Sequence, residues 1–445
     1  MRRAKAFWRD RRGNFGMMTA LLMVPLVGAA GLAMDFGQAL SIKSQLIGAA
    51  DAAAVGAISE KSKAVAQAMT LAGDGTIPLD DREARGLFFG QMSGELAALP
   101  VDVDIQLVKT NGVISSKVSF SATVPTTFMQ ILGQNSVTVS DTVTAEYQTP
   151  SFLDFYMLLD NTPSMGVGAT PADVAKLRSA TASGRDGKDK DCAFACHIVK
   201  EGVPDEGSYY FLAKAIGATI RIDVVADAVA ALMETAEKTQ IVTGQFRMSA
   251  YTFGQTALDA KLYTVSTPTT DFKAVSDATD QIELMSIPSH DYPNNQTDYN
   301  AALTGIDEKI KATGAGTSSA DRQAIVFLVA DGVGDAQRSN CNKKLTSVTY
   351  KSKTTPRCME PLDTHYCDVL KARGIKVAVL YTTYLPLESN DFYKSWIKPF
   401  QAEIPTKMQA CATEGYYFEV TPSDGITEAM DMLFRKIVST PRLTG

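Results

Sequence analysis

Phe15 to Met34 is a run of twenty residues without a charged side chain. As an unbroken helix it would measure about 30 Å, the thickness of a bilayer's hydrocarbon core. Arg2, Arg3, Lys5, Arg9, Arg11 and Arg12 precede it and Asp35 closes it. The positive-inside rule therefore leaves the N-terminus in the cytoplasm and the bulk of the chain beyond the membrane. A cleaved signal peptide is the alternative, with small-residue sites at Ala29-Ala30-Gly31 and Gly31-Leu32-Ala33, but the run exceeds the usual signal core. Pro25 is expected to kink the span, which membrane helices tolerate. Phe36 to Thr70 is rich in Ala, Gln, Lys and Leu without proline, and predicts one long helix continuing from the span. Small residues between Gly48 and Ala57 suit close packing against another helix, although alanine is also simply the best helix former.

With 445 residues the chain has room for two or three domains. Its net charge of −6 includes the basic first segment, so the remainder is strongly acidic and argues against a nucleic-acid surface. Cys192, Cys196, Cys341, Cys358, Cys367 and Cys411 all lie in the C-terminal part. An even number so confined fits disulfides in an oxidising compartment. Every connectivity is open at this point; sequential pairing, Cys192–Cys196, Cys341–Cys358 and Cys367–Cys411, is the expectation. Cys192 to His197 differs from a haem-attachment motif in having three residues between the cysteines, and a fourth zinc ligand is lacking nearby. Asp186, Asp189 and Asp191 lack the spacing of a calcium loop, and His290 and His365 have no nucleophile motif beside them.

From Val101 the pattern changes to alternation, through Leu107, then Val113 to Phe120 and Val137 to Val143, with a hairpin signal at Asn111-Gly112. A short apolar turn or helix is expected at Phe128 to Leu132. The segment carries no His or Cys and reads as a β-rich spacer ending near Pro150. Beyond it, apolar strands (Phe152–Leu159, Phe246–Phe253, Ala324–Ala330, Ile375–Tyr381, Tyr417–Val420) alternate with helices (Ile216–Lys238, Phe272–Leu284, Tyr299–Ile310, Cys367–Ala372, Gly425–Val438). Such alternation predicts an α/β domain with a doubly wound parallel sheet, binding its ligands at the carboxyl ends of the strands.

Asp160, Thr162 and Ser164 follow the first of these strands at alternate positions. Three oxygens from one loop suit a hard divalent ion such as Mg²⁺, with Mn²⁺ or Ca²⁺ as alternatives; the plainer reading is a turn that caps the following element. Thr297, before a helix, and Asp331, after a strand, come from other carboxyl-end loops and would complete a five-ligand site. Together the five residues resemble the metal-ion-dependent adhesion site of von Willebrand factor A domains, with Thr162 where serine is usual. The resemblance implies direct coordination by Thr162 and Ser164, and direct or water-mediated coordination by Thr297. It implies that Asp160 and Asp331 hold bound waters and that a partner's carboxylate takes the open position.

Arg12-Gly13-Asn14, the apolar span, Ala33-Met34-Asp35-Phe36-Gly37, Gln45-Leu46 and Ala49 to Ala54 resemble the start of TadG-like proteins of the Flp (tight-adherence) pilus machinery. Related pseudopilins carry Glu five residues after a processing glycine; here that position, counted from Gly13, is Met18, which favours a retained anchor. The expected organisation is a cytoplasmic segment 1–14, a transmembrane helix 15–34, an extended periplasmic helix 35–71, a β-rich module 72–150, and a von Willebrand factor A-like domain 151–440 with an insertion at about 166–210. By implication the protein sits in a bacterial inner membrane, is not an enzyme, and binds pilin or pilus-assembly proteins through an acidic side chain. Helix–helix association with pseudopilin-like proteins would accompany this. The same site would also serve a surface adhesin. A phosphohydrolase with Asp160 as nucleophile is disfavoured, because Thr162 stands where a second acid is expected and no phosphate-cradling glycine loop is present.

Overall fold

In a computed structural model, residues 14–439 are described apart from 60–61, 72, 79–81, 111, 186–188, 290–291, 293–296, 385, 389 and 422–424. The basic N-terminal segment, Asn111, Asp186, His290 and Asn295-Gln296 lie outside the described residues. The chain divides into two compact units, Met1–Thr149 and Pro150–Gly445.

Helix α1 (Asn14–Ala57) runs from the apolar stretch through Pro25 into the alanine-rich stretch. Met17, Leu21, Leu22, Val24 and Leu26 are exposed, and the helix is long and apolar enough to cross a membrane. The single helix expected as far as Thr70 is instead two. Ser62 has extended backbone and its hydroxyl accepts the Val65 N–H at 3.2 Å, starting α2 (Lys63–Thr70) as an N-cap. After β1 (Gly75–Thr76), α3 (Arg82–Gly90) lies against α1. Gly56 permits this approach, since a Cβ there would stand 2.2 Å from Leu87 Cδ1.

Strands β2 (Val101–Thr110), β3 (Val113–Pro125) and β4 (Ser136–Gln148) follow β1 in an antiparallel sheet of order β1-β2-β3-β4. Gly112, at φ 79°, supplies the left-handed residue between β2 and β3. Val103, Val118, Phe120, Ala122 and Val139 form one core with Leu46, Ala49, Ala50, Ala53 and Ala54 of α1 and Phe88 of α3. The small-residue stripe thus has an occupant within its own unit. Lys109, wholly buried, donates from Nζ to the carbonyls of Ala68 (2.8 Å) and Leu71 (2.9 Å), placing a cation at the C-terminus of α2.

The larger unit begins with β5 (Leu153–Leu159), every residue of which is buried. Phe155, Met157 and Leu159 face one core, while Tyr156 and Leu158 face another, which is why the strand reads as apolar from Phe155 to its end; Asp154, before that run, is buried and paired with Arg247 and Arg322. Then come α4 (Pro171–Ala180), a small hairpin of β6 (Val199–Lys200) and β7 (Val203–Pro204), α5 (Tyr209–Ala215), α6 (Arg221–Thr239), β8 (Phe246–Thr252), β9 (Tyr263–Thr269) and α7 (Phe272–Thr279). They are followed by α8 (Tyr299–Lys309), β10 (Gln323–Ala330), β11 (Val333–Ala336), β12 (Lys344–Tyr350), β13 (Lys353–Pro361), α9 (His365–Ala372), β14 (Lys376–Thr382), α10 (Ile404–Cys411), β15 (Tyr417–Val420) and α11 (Ile426–Ser439). The helix expected from Ile216 starts five residues later, because Gly217 (φ 63°) turns the chain and Asp223 caps the backbone N–H of Ile220.

The main sheet has the order β15-β14-β10-β5-β8-β9. All neighbours are parallel except β9, which pairs antiparallel on the edge of β8. Apart from that reversed strand, the order is that of a doubly wound fold, with its switch point between β5 and β10. Helices α6 and α11 cover one face, and α8, α9 and α10 the other. A second antiparallel sheet, β11-β13-β12, had no counterpart among the sequence expectations.

Disulfides join Cys341 to Cys358 and Cys367 to Cys411, the latter tying α9 to α10. The Cys192–Cys196 bond expected from sequence is not formed; both are free thiols. Backbone bonds from Ala195 N to Gly166 O and from Tyr210 N to Cys196 O fix the loop. Cys192 Sγ contacts Phe194 O at 3.5 Å, and Cys196 packs into the core. Burial pushes the Cys192 thiol up to about 11 and raises that of Cys196 further, so both stay protonated.

Candidate metal centre

Strands β5 and β10 are paired to their ends, Leu159 opposite Val329, so the residues that follow them, Asp160 and Asp331, emerge side by side at the switch point. Asp160 N–H donates to Val329 O at 3.0 Å. After Asp160 a short 3-10 turn, Pro163–Gly166, brings the hydroxyls back towards the carboxylate. Thr162 donates to Asp160 Oδ1 from both its backbone N–H (2.9 Å) and its hydroxyl (2.7 Å), and its Oγ1 lies 3.3 Å from Ser164 Oγ. Asp160, Thr162 and Asp331 are all completely buried.

Asp331 Oδ1 accepts the Val333 N–H at 3.1 Å. Its other oxygen, Oδ2, is buried without a hydrogen bond, with Arg221 Nη1 3.9 Å away. Gly332 takes φ 75°, and a Cβ there would lie 2.6 Å from Ile404 Cγ2, so Asp331-Gly332 is held as a pair by conformation and by the packing of α10.

Thr297, 4% exposed, is set by a two-way backbone bridge to Asp335 on β11, with N–H···O distances of 2.8 and 3.0 Å. Asp335 is clamped by Arg357 of β13 through Nε (2.8 Å) and Nη2 (2.5 Å). Two residues after Thr297, the Tyr299 hydroxyl donates to Asp160 Oδ2 at 3.2 Å and accepts the Gly332 N–H at 3.0 Å. One phenol therefore bridges the two carboxylate loops. Ser164 and Thr297 both open into a cavity of 240 Å³ whose walls include Cys192, Phe194, Met359 and Phe392.

Burial, followed by the charge of Asp331, raises the proton affinity of the Asp160 carboxyl. Burial does the same for Asp331, opposed by the Arg221 cation and by the nearby Ser164 hydroxyl. Two such carboxylates cannot both ionise cheaply without a cation between them. An orphaned Oδ2, a second carboxylate and a set of hydroxyls form a hard-oxygen donor set of the kind Mg²⁺ accepts. The donors fit the ion.

All five sequence-predicted ligands sit around this switch point. Tyr299, Arg221, Asp335 and Arg357 were not foreseen. A tyrosine two residues after Thr297 carries a weak signal; Arg221 and the Asp335–Arg357 pair carry none, since only the fold brings them near. Of the remaining candidates, His197 stacks on Tyr210 with ring centroids 4.3 Å apart, and its Nδ1 pairs with Leu284 O at 2.7 Å, a structural placement. Asp191 pairs with Arg178, and Asp189 and Asp191 both adopt positive φ.

Residues 13–68 match the Tad family model, "Putative Flp pilus-assembly TadE/G-like". No curated protein matches the chain by sequence. Among solved structures, the vWF domain of the type V pili tip protein Mfa5 from Porphyromonas gingivalis is 12% identical, covering 66% of this chain and 99% of that one, with a TM-score of 0.35. Three N-terminal domains of the same protein give 10% identity over 74% of this chain and 54% of that one, with a TM-score of 0.33. The pilus adhesin SpaC from Lactobacillus rhamnosus GG gives 10% identity over 78% of this chain and 35% of that one, with a TM-score of 0.34. Residues 13–68 thus match a TadE/G-like Flp pilus-assembly segment, and the unit that follows is an α/β fold built on a mostly parallel six-stranded sheet.

Proposed function

We propose that this protein is a membrane-anchored, non-enzymatic component of a Flp-type pilus assembly system, and that its larger unit binds a partner protein through a divalent cation. The observation that carries the reading is the buried, unbonded Oδ2 of Asp331 beside Asp160 and the hydroxyls of Thr162 and Ser164. Thr162, Ser164 and Thr297 would hold Mg²⁺, or Mn²⁺ or Ca²⁺ in its place, with Asp160 and Asp331 balancing its charge through bound waters. The ion supplies an electrophilic site for an acidic side chain of pilin or of a pilus-assembly protein. The cavity beside Ser164 and Thr297 is walled mainly by apolar groups, which suits a carboxylate flanked by apolar residues.

The charge-free run of α1 and the basic residues before it support a single span with the N-terminus cytoplasmic and the bulk periplasmic. Association with pseudopilin-like helices would then use the exposed face of α1 within the membrane, since the alanine stripe above it is covered.

The test is Asp160→Ala at the native locus. Loss of pili with the variant protein present at its normal level in the membrane fraction is expected. Normal pili under those conditions would overturn the metal-dependent reading. Protease shaving of intact cells separates this reading from a surface adhesin, which would be digested from outside.

A further inference from the structure

We propose that the β3–β4 turn, Phe128 to Leu132, is a second membrane contact that inserts its apolar side chains into the leaflet from which α1 emerges. The inference rests on the reading of α1 as a membrane anchor. Ile131 is 84% exposed, Leu132 67% and Phe128 38%. The chain from Val118 to Ser140 contains no charged residue, so no charge on the turn opposes entry into an apolar phase.

The turn is fixed at one level of α1. The Asp35 carboxylate, 4% exposed, accepts the backbone N–H groups of Thr127 (3.0 Å), Phe128 (2.8 Å) and Met129 (2.6 Å). Gly31, one turn earlier, receives the Phe128 side chain: a Cβ there would stand 2.6 Å from Phe128 Cβ. Asp35 is the first charge after the apolar run, and Gly31 lies about 6 Å before it along the helix. The turn therefore sits beside the last helical turn of the span, where Leu32 and Met34 are also exposed.

Lipid is the occupant this arrangement selects, because the exposed apolar surface of the turn continues that of the span. It also accounts for a carboxylate at this depth. An unpaired charge at a bilayer edge is costly, whereas Asp35 is saturated by three N–H groups that the turn would otherwise leave unbonded. A short wedge beside the helix would fix the rotation and tilt of the unit on the membrane, which one helix alone does not.

The test uses the full chain in vesicles of phosphatidylethanolamine and phosphatidylglycerol, with and without dibrominated phosphatidylcholine. Ile131→Trp and, separately, Leu132→Trp report the turn; Val108→Trp, exposed at the opposite end of the sheet, is the control. Difference spectra against the parent remove Trp8 and Trp396. The emission added at 131 or 132 is expected to be blue-shifted and to lose most of its intensity with brominated lipid, while that at 108 does not change. Flotation of the same samples separates the two readings. Chain that floats while emission at both turn positions stays unquenched overturns the turn contact alone; chain that fails to float overturns the anchor beneath it.

Discussion

Two buried carboxylates, one in each unit, are treated in opposite ways. Asp35 accepts three backbone N–H groups and ties one turn to a helix. Asp331 accepts one backbone N–H, faces a second carboxylate, and has an oxygen with no hydrogen bond. A saturated buried carboxylate acts as a structural fastener. An unsaturated one destabilises the fold; the buried Arg221 guanidinium, 3.9 Å from Asp331 Oδ2, offsets part of that cost, and under the proposed reading a bound cation would offset more. Asp335, with two hydrogen bonds from Arg357, belongs with Asp35 although it lies one backbone bridge away from Thr297.

The largest test makes a saturated carboxylate unsaturated. Arg357→Ala leaves Asp335 buried without its cation and should cost about 3–5 kcal/mol in chemical denaturation. Adding Mg²⁺ should not restore the loss, because the deficit lies outside the site. The reverse test saturates the unsaturated pair. Mg²⁺ at a hundredfold over its dissociation constant should stabilise the wild-type protein by about 2.7 kcal/mol, read as a midpoint shift that EDTA abolishes. The smallest change in stability comes from Tyr299→Phe, which removes the hydroxyl joining Asp160 to the Gly332 backbone. A loss of about 1 kcal/mol is expected without metal, together with about 10- to 100-fold weaker Mg²⁺ affinity by titration calorimetry. Unchanged affinity would remove Tyr299 from the positioning of Asp160.

The alternation of apolar strands and helices made the larger fold legible, because strands buried on both faces leave continuous runs such as Phe155–Leu159. The candidate ligands were legible because each follows a strand or precedes a helix, where local chemistry is visible. The groups that hold them were not. Arg221 reaches Asp331 and the Thr383 carbonyl across the fold, and Arg357 reaches Asp335 from a sheet whose strand β13 contains Pro356, a residue that reads as loop. Cys192 and Cys196 misled because their spacing permits a bond, whereas the backbone bonds of Ala195 and Tyr210 hold the loop with free thiols. The long helix was drawn past Ala57 because alanine content cannot register the restart that Ser62 imposes.

The central claim is that the carboxylate pair at the switch point is a cation site. The most direct measurement is equilibrium binding of Mn²⁺ to the full-length protein, read by the loss of its free-ion electron paramagnetic resonance signal, for the wild type and Asp160→Ala. One ion bound per wild-type chain, displaced by Mg²⁺, is the predicted result, with none held by the variant while its circular dichroism is unchanged. Equal binding by both proteins, or none by either, would contradict it.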